Sequence, residues 1–270
     1  MGQHRHAWVR ILAPGFALAM FLAISLVARA EPTPAAIAAF DAYAAQVETH
    51  IAQQHQSARA FVAPISLDRL RHGDVIIERL TPDPGPAMPG AMLHHWRGTA
   101  FVPGTTTADL ERLLKNFNSY PQVFAPQVVK ETVLAQQDDR FKTLMRVRQH
   151  HVITVVLDTT YDVRFGRLDA QHAYSTSHST QISEIKSAGT PEERALTPAE
   201  EHGFLWRLNT YWSYEERDGD LFMQVESISL TRSIPAGLGW AIRPFVESVP
   251  RESLEFTLRA ACNALAKSHK

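Results

Sequence analysis

Aromatic and polar side chains alternate along residues 204–216, so this stretch could both enclose and anchor a ligand. Successive side chains of an extended strand point to opposite faces, which puts Trp206, Trp212 and Tyr214 on one face and Arg207 on the other. Burial favours the aromatic face inside the protein. There the indole rings either line a ligand cavity or fill a solid core, and Arg207 is a candidate polar anchor.

Two further residues could act in a pocket. Glu226 lies in the middle of the predicted strand from Asp220 to Arg232, where a carboxylate without a partner is costly, and Arg207 or Arg146 is its expected partner. Glu226 is therefore either part of a structural ion pair or a polar anchor or general acid. His151 lies on the apolar face of its strand, as either a pocket base or a hydrogen-bonded core histidine.

Other kinds of chemistry find little support. Zinc needs three or four converging ligands, but the adjacent histidines at 94–95 and 150–151 point to opposite faces of a strand. The single cysteine, Cys262, belongs to an apolar helical pattern that predicts a buried thiol. The sequence contains no Gly-x-Ser-x-Gly turn and no Gly-rich phosphate loop. We therefore expect no metal, no cofactor, and neither hydrolase nor nucleotide chemistry.

The first 30 residues have the three parts of a secretory signal peptide. A basic flank at residues 4–10 precedes an apolar run from Ile11 to Val27, and Ala28-Arg29-Ala30 places small residues at both recognition positions. The run of about 17 residues is broken by a proline and a glycine, whereas a spanning helix needs roughly 20 apolar residues. We expect cleavage after Ala30 and a periplasmic or secreted protein, with an uncleaved membrane anchor as the alternative.

The charge balance argues against a nucleic-acid partner. The chain has 27 basic and 28 acidic residues, and the first 30 residues contain three arginines and no acidic residue, so the mature net charge is about −4. No run of Lys or Arg is long enough to form a basic face.

Residues 31–90 form an N-terminal segment ahead of the main domain. Apolar side chains at spacings of three and four predict a helix from Ala35 to Gln56, which packs on the main domain or on a partner. Thr81 to Gly90 contains four prolines and two glycines, so it is a loop between short strands around Asp74 to Leu80 and Met92 to Val102.

Residues 91–270 form the main domain, of the α+β class. Thr107 is expected to cap a short helix after the first strand. A long strand from Phe141 to Leu157 and further extended runs follow, at Thr159 to Arg167, Ala170 to Ile185, Phe204 to Glu216 and Asp220 to Arg232. A polar loop spans residues 187–202, and Asp218-Gly219 predicts a tight hairpin. The terminal helical pattern pauses at Pro250 and resumes from Ser253 to Lys267.

This order of elements resembles the START-like superfamily, also called SRPBCC, whose helix-grip fold is a curved antiparallel sheet wrapped around a long C-terminal helix. The resemblance covers roughly Leu93 to Leu265. It is carried by the opening strand His95 to Phe101, the segment Phe117 to Pro121, the hairpin Tyr211 to Asp220, and Pro250 to Leu254. None of these segments is a catalytic signature.

The resemblance implies binding of a hydrophobic small molecule such as a lipid, quinone or polyketide between the sheet and the helix, in a carrier, a cyclase or a dehydratase. Our leading hypothesis is binding without turnover. Transient contact with a membrane fits this role, and the oligomeric state is not indicated. A cyclase or dehydratase that uses Glu226 or His151 is one alternative. An envelope interaction module with a solid core is the other. The expected ligand contacts are Trp206, Trp212 and Tyr214 as walls and Arg207, Glu226 and His151 as polar anchors.

Overall fold

The computed structural model describes residues 31–63, 66–150, 153–234 and 239–268, so the predicted signal peptide lies outside the described residues. No helix within these ranges is long and apolar enough to cross a membrane. The helices are α1 (Pro34–Gln54), α2 (Leu67–Arg71), α3 (Thr107–Lys115), α4 (Tyr120–Val123) and α5 (Gly239–Ser268), with a 3-10 turn at Phe117–Ser119. The strands are β1 (Ile76–Arg79), β2 (Ala91–Val102), β3 (Val128–Gln137), β4 (Arg140–His150), β5 (Thr154–Arg167), β6 (His172–Lys186), β7 (Arg194–Ala195), β8 (Arg207–Arg217) and β9 (Asp220–Arg232).

The described strands form one antiparallel sheet in the order β1-β2-β9-β8-β6-β5-β4-β3, with β7 paired to β6. The predicted hairpin between β8 and β9 is confirmed. Its turn residues Asp218 and Gly219 have φ angles of 55° and 81°, which are the positive values that a tight two-residue hairpin requires. This hairpin places the aromatic strand β8 in the middle of the sheet.

One face of the sheet, called the inner face below, packs against α5. Leu258 of the helix shares the main core with Trp212 and Met223. The sheet and the helix approach each other closely at Gly98 of β2, where an added Cβ would lie 2.5 Å from Leu258 Cδ1. A curved antiparallel sheet that holds a C-terminal helix is the helix-grip arrangement, so the predicted fold class is confirmed.

The opposite face, called the outer face, is covered by α1. Phe40, Val47 and Ile51 of the helix are buried in a second core together with Ile228 and Leu230 of β9. The helix begins where the Thr33 hydroxyl accepts a hydrogen bond from the Ala36 amide at 3.1 Å. Of the two locations expected for this helix, the structure shows the one on the main domain.

The predicted strand from Phe141 to Leu157 is wrong in its extent. The segment contains most of β4 and the start of β5, which pair antiparallel with Phe141 opposite Val163. Apolar alternation continues through the connection, and no Gly, Pro or Asn marks it, so the period alone could not locate the turn. The edge strand β3 was not predicted at all.

The C-terminal pattern is one continuous helix. We predicted a pause at Pro250, but α5 runs through this residue from Gly239 to Ser268. A proline removes one backbone hydrogen bond from a helix. The apolar stripe that follows, including Leu254 and Leu258, is buried against the sheet and holds the helix together across this position.

Candidate ligand-binding site between the sheet and the C-terminal helix

A row of partly exposed side chains crosses the middle of the inner face. Ser177, Thr210, Ser227 and Trp96 are consecutive partners on β6, β8, β9 and β2, and each retains some exposure to solvent. These four strands are flanked on both sides by other strands, so their inner-face side chains would be fully buried if α5 covered them completely. Their partial exposure therefore indicates a gap between the sheet and the helix.

Other apolar side chains also retain some exposure. Met145 and Leu208 of the sheet and Phe256 and Cys262 of α5 pack against the main core but are only partly buried. Partly exposed apolar surface inside a fold, with a few polar groups, is typical of a small-molecule site. Cys262, which we predicted to be a buried thiol, is half-buried. Burial raises its pKa to about 11, so the thiol stays protonated at neutral pH.

Glu131 of β3 is a buried acid on this inner face. It lies opposite Met145 of β4 and is only 8% exposed. Neither of its carboxylate oxygens has a hydrogen-bond partner of normal geometry among the described residues. Burial raises the pKa of Glu131 to about 7, and the nearby Thr143 hydroxyl offsets part of this rise. Such a group can accept a hydrogen bond from a ligand or exchange a proton near neutral pH.

Two buried tyrosines lie within electrostatic range of Glu131. The pKa values of Tyr120 and Tyr161 are raised, mainly by burial and further by the charge of Glu131. The Tyr120 hydroxyl donates to the Leu114 carbonyl at 2.6 Å, so it is already satisfied within the fold. These rings place Glu131 among groups that carry no charge at neutral pH.

Two other polar groups of the inner face lack partners. The hydroxyls of Thr159 and Tyr214 are buried and make no hydrogen bond of normal geometry within the part of the chain that the structure describes. Thr159 lies near the Tyr161 side chain and is separated from Glu131 by one strand, with Met145 between them on the same face. A ligand with polar atoms could satisfy these groups, which are otherwise costly to bury.

The structure divides the predicted aromatic site residues between the two faces. Trp212 and Tyr214 lie on the inner face in the main core, as expected. Trp206 belongs instead to the outer core under α1, so the prediction that it shares a face with Trp212 is wrong. The physical reason is that β8 begins only at Arg207, and the alternation of the pleat does not extend to Trp206.

Glu226 lies on the outer face, on the other side of the sheet from the gap. Its Oε1 accepts a hydrogen bond from His95 Nε2 at 2.8 Å. With this proton assignment, the Tyr43 hydroxyl of α1 donates to His95 Nδ1 at 2.7 Å. The side chains of His95 and Glu226 are 6% and 8% exposed. The chain of three groups ties the N-terminal helix to the sheet.

The partners that we expected for Glu226 bind elsewhere. Arg207 Nη1 donates to the Trp206 carbonyl at 2.9 Å, and Arg146 forms ion pairs with Asp158 and Glu193. The prediction of an arginine partner is therefore wrong. Arg207 is not a member of the inner site, and the predicted pocket base His151 lies outside the described residues.

Glu131 was missed because β3 was not assigned. Its signal is the run from Val128 to Val133, which is rich in β-branched residues and favours a strand. The position of Glu131 on the inner face also depends on a register shift between Val128 and Lys130. A simple period of two would not have found it.

The described residues contain no group of three or more side chains that could hold a metal ion. Sequence comparison gives no match to a known family or to a curated protein. Similar solved structures include a START superfamily protein from Mycobacterium smegmatis (13% identity, TM-score 0.42, covering 64% of this chain and 98% of that chain). A second is a STAR-related lipid transfer protein fragment from Xanthomonas axonopodis (15% identity, TM-score 0.45, covering 67% of this chain and 97% of that chain). A third is the Zhui aromatase/cyclase from Streptomyces sp. R1128 (15% identity, TM-score 0.46, covering 66% of this chain and 97% of that chain). The order of the strands and the packing of α5 on the inner face give the chain a helix-grip arrangement.

Proposed function

We propose that this protein is exported and binds a hydrophobic small molecule, of a lipid, quinone or polyketide type, in the gap between the sheet and α5 without transforming it. The observation that carries the proposal is the row from Ser177 to Trp96, whose side chains face the helix and yet remain partly exposed. Apolar walls around such a gap favour a ligand that water solvates poorly.

Export is supported by the sequence alone. Residues 1–30 combine a basic flank, an apolar run and small residues before the expected cleavage site. Amino-terminal sequencing of the protein from its own envelope fraction tests this part of the proposal. A mature chain that begins at Glu31 supports it, whereas a chain that retains residues 1–30 and remains in the cytoplasm contradicts it.

Binding can be tested by filling the gap. Thr210 lies in the middle of the exposed row, so the Thr210→Trp variant places an indole where an apolar ligand would lie. We expect the affinity for Nile red, a neutral apolar dye, to fall by about tenfold or more, because each methylene group kept in water costs about 0.8 kcal/mol.

The matched control is Thr180→Trp, the same substitution at an exposed position of β6. This variant should bind Nile red as the unaltered protein does. Equal binding by the unaltered protein and the Thr210→Trp variant would contradict the proposed location. Circular dichroism of both variants shows whether they remain folded.

One observation favours a second candidate function, a cyclase or dehydratase type of enzyme. The pKa of Glu131 is raised to about 7, which suits a general acid or base. An enzyme of this type would release a chemically altered product from a bound polyketide-like molecule. Recovery of the same molecule before and after prolonged incubation with the protein would favour binding without turnover.

A further inference from the structure

The orphaned carboxylate of Glu131 restricts which ligand the gap can hold, and this step rests on the proposed function. Each of its oxygens is buried and makes no hydrogen bond of normal geometry within the described ranges, although the Thr143 hydroxyl lies near enough to offset part of the rise in its pKa. A buried polar group without a partner costs stability, and a carboxylate can only accept hydrogen bonds when it is ionised. The chemistry that satisfies the ionised form of Glu131 is therefore a hydrogen-bond donor.

A ligand has access to this side of the gap. Met145 lies directly opposite Glu131 on β4, and it is only partly buried although β3 and β5 flank it on both sides. Its exposed surface must therefore face the space above the sheet. The nearest strand neighbour of Glu131 is therefore open to a ligand on the inner face.

The surroundings of Glu131 do not suit an anion. The cationic side chains of β3 and β4 alternate with the inner-face residues Met145 and Val147 and so lie on the outer face; they are Lys130, Arg140, Lys142, Arg146 and Arg148. Arg146 pairs there with Asp158 and Glu193. A bound carboxylate or phosphate would face Glu131 without a compensating cation from these strands, and like charges at close range repel.

His94 is a basic side chain that does lie on the inner face. Its Nε2 is 3.0 Å from the Thr231 hydroxyl, and its ring is 4% exposed. Burial, assisted by the charge of Arg79, lowers the pKa of His94 to about 4, so the ring is neutral under ordinary conditions. It therefore does not act as the counter-ion that an anionic ligand would need.

We propose that the ligand is an uncharged apolar molecule whose hydroxyl or phenol group donates a hydrogen bond to Glu131, and that fatty acids and phosphate-bearing lipids are disfavoured. Thr159, on the same face beyond Met145, offers a second hydrogen-bonding group about 10 Å away, the distance spanned by two strand spacings. A ligand with a second polar atom at this distance would satisfy both side chains.

The test uses two probes with the same apolar body, pyrenedecanol and pyrenedecanoic acid, at about pH 8, where a free carboxylic acid is ionised. Fluorescence titration of the unaltered protein should give an affinity for the alcohol at least about tenfold higher than for the acid, since a hydrogen bond to a charged group is worth this much. Tighter or equal binding of the acid would overturn the inference and leave the proposed function in place.

The Glu131→Gln variant keeps the shape of the side chain and removes its charge. In this variant, the affinity for the alcohol should exceed the affinity for the acid by no more than about threefold, because the amide can donate a hydrogen bond to the carboxylate of the acid. The Glu131→Asp variant should keep the preference, because it keeps the charge. Glu48→Gln, on α1 at the outer face, is the matched control and should also keep it.

Each remaining outcome has a defined meaning. A Glu131→Gln variant that is folded by circular dichroism and still prefers the alcohol as strongly as the unaltered protein would contradict the role of Glu131. Failure of the unaltered protein to bind either probe would overturn the proposed function itself, together with this inference.

Discussion

Replacing Glu131 by glutamine should change how the stability of the protein depends on pH. In the folded state, burial raises the pKa of this carboxyl from 4.5 to about 7. The folded protein therefore keeps a proton that the unfolded chain has already released. The unfolding free energy must then fall as the pH rises from about 4.5 to about 7. Above pH 7, the contribution of Glu131 to this free energy should stay constant.

The magnitude follows from the width of this interval. A change of one pH unit between the two pKa values is worth about 1.4 kcal/mol. The interval from 4.5 to about 7 therefore corresponds to roughly 3 kcal/mol of unfolding free energy. The glutamine variant cannot titrate at this position, so it should lack this loss.

Urea unfolding followed by circular dichroism, at about pH 5 and about pH 8, measures the effect. Other titrating groups, such as the buried Glu215, are present in both proteins and cancel in the comparison. Between the two pH values, the unaltered protein should lose about 2.5 kcal/mol more than the Glu131→Gln variant. If the two proteins changed in parallel, within about 0.5 kcal/mol, the reasoning about Glu131 would be refuted.

Three further predictions concern the packing of the two faces and can be checked by urea unfolding. Gly98→Ala should lower the unfolding free energy by about 1–3 kcal/mol, because the added methyl would lie 2.5 Å from Leu258 Cδ1; an unchanged midpoint would contradict the close contact. His95→Ala should cost about 3 kcal/mol, since it leaves the buried Glu226 without its partner, and a neutral effect would argue against the pair. Phe40→Ala should cost about 3 kcal/mol if α1 is an integral part of the fold, whereas a loss below about 1 kcal/mol would indicate a loosely attached helix.

Local patterns predicted much of the fold correctly. The helix α1 follows from apolar residues at spacings of three and four, and the β8–β9 hairpin follows from Asp218-Gly219, because both signals act over a few residues. The order of strands, short helix, meander and terminal helix was enough to indicate the helix-grip arrangement.

The site was harder to predict because it depends on contacts between distant residues. The partner of Glu226 is His95, which comes from a strand more than a hundred residues earlier in the chain, and only the register between β2 and β9 brings them together. A sequence pattern shows which face a residue can occupy within a strand. It does not show which strand will lie beside it.

The ends of strands were a second source of error. Trp206 follows the alternation of β8 in the sequence but lies just before the first residue of the strand, and its ring joins the outer core. Glu131 lies on a strand with two register shifts, where simple alternation fails. In both cases an irregularity of the backbone decides which face of the sheet the side chain occupies.

The proposed function requires an apolar molecule in the gap between the sheet and α5. Native mass spectrometry of the protein purified gently from its own envelope fraction, followed by solvent extraction, would detect such a molecule. We expect one uncharged apolar molecule per chain, recovered unaltered in the extract. An empty protein that also fails to take up neutral apolar probes would contradict it.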